Sequence, residues 1–229
     1  ISDKNNFDLI ATNVLGNYGR IFSEYVFLKD FRNEKLANYI SINGQKYLDD
    51  IIKKQKKVVF ISGHFNNFEL MAMQLEKYGV NLTAIYRPLN NIFLNKTMEK
   101  IRTHFICRKQ IKKGRSGSRE LVKNFKEGSS IALMIDQRVR EGISVPFFQK
   151  SCSTTTIPAQ LVKKYECEIV PIYIERKKNH FFEMTVSQPL VFNKSLSIDD
   201  ISVELNKILE KMILKNLDQW IWTHNRWQK

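Results

Sequence analysis

The sequence predicts an α/β fold: a single domain with a mostly parallel central sheet flanked by helices. Three observations point there. Short, uninterrupted β-branched runs alternate with stretches of helical periodicity. The 229 residues, 43% hydrophobic and 26% charged, supply enough apolar side chains for one sizeable core. No internal repeat, low-complexity tract or Pro/Gly/Ser-rich linker offers a place to divide the chain, so residues 1–229 are read as one unit.

Near the start, Phe7, Ile10, Ala11, Val14, Leu15, Tyr18, Phe22 and Tyr25 recur at the spacing of one helical face, which suits packing on a core or contact with lipid or substrate. The run Val58-Val59-Phe60-Ile61 reads as a buried strand. Gly63 breaks it before a helix through Leu70, Met71 and Leu75. A strand over Leu82 to Tyr86, a helix over Ile92 to Ile101 and a helix over Arg119 to Phe125 that stops at Gly128 follow. The strand Ile131 to Ile135 ends at Asp136, and a short helix after Pro158 runs to Tyr165. A strand over Ile169 to Ile174, an antiparallel strand over Phe181 to Val186 and a last helix from Ile198 to Leu217 complete the reading. The start of that helix, Ser197-Ile198-Asp199-Asp200, has the form of a capping signal.

Lys and Arg total 37 against 23 Asp and Glu, a surplus of +14 that belongs on the surface because unpaired buried charge is costly. An acidic partner is expected: nucleic acid, an anionic bilayer, a phosphorylated small molecule or an acidic carrier protein. Cys107, Cys152 and Cys167 are odd in number and widely spaced, which suggests neither a disulfide framework nor a zinc knuckle. His104, His180 and His224 are too scattered to suggest a metal. No run of about 18 apolar residues appears. The chain begins at Ile1 rather than Met, and it is expected to be a piece from which a leading segment is missing.

In open α/β sheets, ligands collect at the carboxyl ends of strands. Three polar positions lie there: His64 after Val58 to Ser62, Arg87 after Leu82 to Tyr86, and Asp136-Gln137-Arg138 after Ile131 to Ile135. A neutral imidazole can take a proton from an alcohol at physiological pH, which makes His64 the candidate base. Glu69, five positions on, is the expected partner that orients its other ring nitrogen. Ser62 lies in no G-x-S-x-G elbow, so direct attack by a substrate hydroxyl is favoured over a seryl intermediate. Gly63 leaves room for close backbone approach, while Asn66 and Asn67 offer amide groups beside a helix start that can bind an anionic oxygen.

These residues resemble a known family. The segment Gly63-His64-Phe65-Asn66-Asn67-Phe68-Glu69 is similar to the G-H-x-G-N-W-E block, with its H-x4-D/E motif, of the lysophospholipid acyltransferase superfamily and its lipid A late acyltransferase branch; Asn66 stands for Gly and Phe68 for Trp. Tyr86-Arg87-Pro88 resembles the second block, and Asp136-Gln137 with Val145-Pro146-Phe147-Phe148 the third. Asn17-Tyr18-Gly19-Arg20 with Glu24, Pro158-Ala159, Val170-Pro171 and the ending Gln219 to Trp227 extend the likeness over nearly the whole chain. Members of the branch usually carry an N-terminal hydrophobic anchor, which the resemblance places ahead of this piece.

The resemblance implies a glycerolipid acyltransferase-like fold and transfer of an acyl chain from an acyl carrier protein thioester to a hydroxyl of a lipid A precursor at the cytoplasmic face of the bacterial inner membrane. No cofactor or metal is implied. His64 and Glu69 are the expected catalytic pair, and Arg87, Asp136, Asn66, Asn67 and Gln137 the expected substrate contacts. Arg87 would meet the oxyanion or a substrate phosphate. Asp136 would anchor Arg87, shape the acceptor site or form a structural ion pair. Val145 to Phe148 would line an acyl groove or pack in the core, and Trp220, Trp222 and Trp227, beside Arg226 and Lys229, would meet headgroups or pack. Lys53, Lys54, Lys56 and Lys57, or Lys109, Lys112, Lys113 and Arg115, would face an acidic carrier, an anionic leaflet or plain solvent. Another amphipathic acceptor, an acyl-thioester hydrolase, a non-catalytic lipid-binding module and a basic nucleic-acid-binding protein are the rival readings; the last lacks any recognisable nucleic-acid motif.

Overall fold

In the computed structural model, which describes residues 4–178 and 180–227, the strands gather into one seven-stranded sheet in the order β1-β9-β8-β2-β5-β3-β4. Lys229 lies outside the described residues, as does the side chain of Arg115. Helix α1 (Lys4–Glu24) and the short α2 (Leu28–Arg32) precede β1 (Ile40–Asn43) and α3 (Gln45–Lys53). Strand β2 (Val59–Ser62), α4 (Glu69–Lys77), β3 (Leu82–Tyr86), α5 (Ile92–Ile101), β4 (Lys109–Lys112), α6 (Arg115–Lys126) and β5 (Ser130–Met134) then form a repeating strand–helix unit, in which β4 is a strand not expected from the sequence pattern. A hairpin of β6 (Ile143–Phe147) and β7 (Lys150–Thr154) stands apart as a two-stranded sheet. The chain closes with α7 (Ile157–Tyr165), β8 (Ile169–Arg176), β9 (Phe182–Val186) and α8 (Ile198–Lys215).

All pairings within the large sheet are parallel except β8 with β9. This is the expected single α/β domain with a mostly parallel sheet. Every residue of β2 is buried, as a central parallel strand with helices on both faces requires. The predicted capping box is made: Asp200 donates its backbone N–H to Ser197 Oγ at 3.0 Å, and Ser197 donates its own to Asp200 Oδ2 at 3.0 Å.

The greasy face of α1 divides between two environments. Val14 and Ile21 are buried, and the helix packs on the turn Leu217–Gln219, where Asn13 donates to Asp218 Oδ2 at 2.9 Å. Phe7, Leu15 and Phe22 face outward, with Phe22 60% exposed. The apolar stripe is thus wider than the core contact it serves, so packing accounts for only part of it.

The hairpin settles the environment of Val145 to Phe148. Phe147 is buried, stacked on Trp227 at 5.6 Å between ring centroids and edge-on to Trp220 at 6.2 Å. Trp227 donates its indole N–H to the Phe147 carbonyl, and Trp222 donates to that of Leu217. Phe147, Trp220 and Trp227 are thus occupied with one another and with backbone, while Trp222, packed edge-on to Trp220, keeps 38% exposure.

Candidate active site

Strand β2 ends at Ser62, whose hydroxyl donates to the Ile172 carbonyl at 2.7 Å and is buried, tied into the sheet. Gly63 follows because nothing larger fits: a Cβ there would lie 2.9 Å from the Phe65 ring and 3.1 Å from Leu209. The next three residues pair with the C-terminal segment in the manner of a strand. Ile221 donates to the His64 carbonyl, Phe65 bridges to Trp220, and Asn66 donates to the Gln219 carbonyl at 2.7 Å. Asn66 then adopts a left-handed backbone, φ +41°, before α4 begins at Glu69. Asn is among the few residues that accept that conformation, which explains how it stands where the family block has Gly.

This loop presents His64 to Asp136, two residues past the adjacent strand β5. Asp136 Oδ1 lies 2.8 Å from His64 Nδ1; Oδ2 accepts the His64 backbone N–H at 2.8 Å and the Trp220 indole N–H at 2.9 Å. Asp136 is buried, while the His64 side chain keeps 20% exposure. A carboxylate on Nδ1 fixes the tautomer that carries its proton there, leaving Nε2 as the basic nitrogen. Burial pulls the His64 pKa down, but the charge and hydrogen bond of Asp136 outweigh it and hold the imidazole above its ordinary value; Glu69 adds to the rise and Arg102 opposes it. Burial likewise pushes Asp136 up, and His64 and Trp220 overcome that, keeping its carboxyl below the usual range.

The orienting role expected of Glu69 is therefore corrected: Asp136 holds the His64 ring. Glu69 Oε1 is engaged elsewhere, accepting Arg102 Nε at 3.0 Å, Arg102 Nη2 at 2.7 Å and the Tyr25 hydroxyl. Arg102 opens a π-helical turn, Arg102–Ile106, at the end of α5, a geometry that often marks functional sites. Burial and the Glu69 charge push the Tyr25 phenol well above its usual range. Glu69, at the start of α4, thus ties together the turns that follow α1 and α5 through its hydrogen bonds, and its charge favours the protonated His64 ring.

The other expected site residues divide. Asn66 and Asn67 are buried and committed to the protein. Asn66 donates to Gln219 Oε1 and accepts from Arg176 Nη2, and Asn67 donates to Glu24 Oε2. They brace the loop instead of presenting their amides to a substrate: Glu24 and Arg176, ion-paired with each other, take Asn67 Nδ2 and Asn66 Oδ1. Arg87 stands exposed at the end of β3, and the ion pair with Asp136 that was one expectation is not made, since both oxygens of Asp136 are taken by His64 and Trp220. Gln137 is half-buried, with its carbonyl accepting Arg226 Nη1 at 2.9 Å.

Sequence reasoning missed how the C-terminal segment builds the site. Trp220 grips Asp136, while the buried Arg226 bonds the carbonyls of Gln137 and Ser153 and lies over the Phe147 ring. His224 Nε2 accepts the Arg138 N–H at 3.0 Å, and burial lowers its pKa, which suits a neutral acceptor. The density of Trp and Arg between residues 220 and 227 was the available signal.

Comparison with known proteins identifies the family and the fold. The chain is 21% identical to the lipid A biosynthesis acyltransferase of Haemophilus influenzae, over 98% of this chain and 72% of that protein. It is 23% identical to the lipid A biosynthesis lauroyltransferase of Escherichia coli K12, over 86% of this chain and 64% of that protein. It therefore spans roughly two thirds of the length of these relatives. Its fold is similar to the crystal structure of the 1-acyl-sn-glycerophosphate acyltransferase of Thermotoga maritima, with a TM-score of 0.51 and 12% identity, covering 86% of this chain and 80% of the other. The profile of the bacterial lipid A biosynthesis acyltransferases matches residues 3–229, and the chain belongs to that family.

Proposed function

We propose that this protein moves a fatty acyl chain from an acyl carrier protein thioester to a hydroxyl of a lipid A precursor, with His64 as general base and Asp136 as the residue that orients it. The observation that carries this reading is the 2.8 Å contact between His64 Nδ1 and Asp136 Oδ1 at the carboxyl edge of the parallel sheet. His64 Nε2 takes the proton of the acceptor hydroxyl as its oxygen bonds to the thioester carbonyl carbon. The tetrahedral intermediate then collapses, the carbon–sulfur bond breaks, and the imidazolium returns its proton to the carrier's thiolate. Asp136 stabilises the imidazolium between those steps, and Glu69 adds negative charge nearby.

Arg87 is assigned to the acceptor's phosphates, since an exposed guanidinium at the end of β3, on the same sheet edge as the base but separated from β2 by β5, meets oxyanions in two-point fashion. The +14 surplus supports acidic partners: the carrier protein and an anionic leaflet, placed at the cytoplasmic face of the inner membrane. Among the described residues no helix is long and apolar enough to cross a membrane.

The test is transfer of a labelled acyl group from acyl carrier protein to a Kdo-bearing lipid A precursor, comparing the protein with its His64→Ala variant. A loss of roughly 10²- to 10⁴-fold is expected for removal of a general base. Undiminished transfer by His64→Ala would remove the base from the mechanism. Release of free fatty acid without acylation of any acceptor would assign the protein to thioester hydrolysis.

A further inference from the structure

Where β3 gives way to α5, the chain holds out Leu89, Ile92, Phe93 and Leu94, all exposed, with Phe93 at 80% and Ile92 at 69%. This is a built feature. Asn91 Oδ1 accepts the N–H groups of Phe93 and Leu94 at 3.0 and 3.1 Å, capping α5, and Asn95 Oδ1 accepts that of Leu89 at 2.8 Å. The backbone is tied down by its own side chains while four large apolar groups are left in water, which a folded surface avoids unless something covers them.

Its place in the fold says what covers it. Strands β2, β5, β3 and β4 run parallel, so the segment after β3 leaves the sheet at the same edge as His64 after β2 and Asp136 after β5. That edge is basic. Arg87 and Lys113, exposed after β3 and β4, and Arg140, exposed after β5, stand there, and Lys96 and Lys100 are exposed on α5. A hydrocarbon layer beneath an anionic surface accepts both features: the apolar tip enters and the cations rest on headgroups. An acidic carrier protein would meet the cations as well, but as a folded domain it offers no hydrocarbon layer for an outward-pointing tip to enter.

We propose that Leu89 to Leu94 form a wedge that inserts into an anionic bilayer and turns the sheet edge bearing His64 toward the lipid. This rests on the reading that the acceptor is a lipid resident in that bilayer. Insertion then sets the orientation in which a headgroup hydroxyl reaches Nε2.

The three cysteines are buried, so a Phe93→Cys variant carries a polarity-sensitive fluorophore at the tip alone. With vesicles in which about a third of the lipid is anionic, the emission is expected to shift to the blue, and acyl carrier protein without vesicles is expected to leave it unchanged. In sedimentation with the same vesicles, the Ile92→Ser/Phe93→Ser protein should partition about tenfold less than the unmodified chain. Its melting temperature should be unchanged, because both side chains are exposed. Leu15→Ser/Phe22→Ser, on the outer face of α1, is the control. Unchanged partitioning of the tip variant, loss confined to the α1 variant, or a fluorophore that answers to carrier protein and not to vesicles overturns the proposal. Tip-dependent binding by a protein that acylates no lipid A precursor leaves the wedge standing and sinks the functional reading; acylation in detergent by a protein whose tip ignores vesicles does the reverse.

Discussion

Asp136 and His64, 72 positions apart in the chain, make two contacts with each other: carboxylate to ring nitrogen and carboxylate to backbone N–H, both at 2.8 Å. The second contact matters as much as the first. It fixes the loop from which the ring hangs, so the imidazole is aimed by the residue that also sets its tautomer.

Acyl transfer should rise with pH along a single inflection that lies above the ordinary histidine value of about 6.5, since Asp136 holds the His64 pKa up and only the neutral ring accepts a proton. In Asp136→Asn the inflection should move down. The pH dependence of kcat/KM for both proteins checks this; an inflection in the variant at or above that of the parent removes Asp136 as its cause.

The same pair should write itself into stability. A histidine whose folded pKa is raised contributes stability that is fully present below its unfolded value of about 6.5 and lost as pH rises through the folded value. A carboxyl whose folded pKa is depressed contributes stability present above its unfolded value of about 3.9 and lost as pH falls through the folded one. Denaturant midpoints for the parent should therefore weaken on both sides of a plateau between those limits, and His64→Gln should lack the decline on the alkaline side.

Arg102→Ala should cost about 3 kcal/mol in urea unfolding, because it strands the buried Glu69 carboxylate and leaves Tyr25 as its remaining partner. Removing both partners in Glu69→Gln/Arg102→Gln should cost less than the sum of the single changes. Strict additivity would mean that the two side chains do not interact.

At Asn66 a pair of substitutions separates side chain from backbone. Asn66→Gly loses the bonds to Gln219 and Arg176, worth roughly 1–3 kcal/mol where a buried partner is left unsatisfied. Asn66→Ala loses the same bonds and should cost about 1 kcal/mol more, the penalty of placing a Cβ in the left-handed region at φ +41°. Equal stability of the two variants would show that the loop relaxes out of that conformation.

Much of this fold is written in local pattern. The run Val58 to Ile61, the break at Gly63 and the capping box at Ser197 depend on neighbours within a few residues, so periodicity and turn chemistry reveal them. Strand β4, Lys-Gln-Ile-Lys, escaped notice because a four-residue edge strand needs only one buried side chain, Ile111. The hairpin β6–β7 escaped because its Phe147 is buried by Trp220 and Trp227 from the far end of the chain.

The site shows the same division. His64 is legible as a polar residue at the end of a buried strand. Its partner is not, because the H-x4-E spacing offers Glu69 as the near candidate, while the choice between Glu69 and Asp136 is made by long-range contacts. Arg102 draws Glu69 toward α5, and Trp220 presents a second donor that seats Asp136 against His64. Sequence proximity marks which residues share a helix turn and not which carboxylate a ring nitrogen meets.

The most direct measurement of the central claim is the turnover number of Asp136→Asn in acyl transfer from acyl carrier protein to the lipid A precursor, alongside Glu69→Gln. An amide at position 136 can donate to Nδ1 and trap the tautomer whose Nε2 carries the proton, so a loss on the order of 10³-fold or more is predicted, with folding intact by circular dichroism. Glu69→Gln should lose less, since it acts on the ring only through charge. Full turnover by Asp136→Asn, with Glu69→Gln inactive yet folded, would contradict the account and return the orienting role to Glu69.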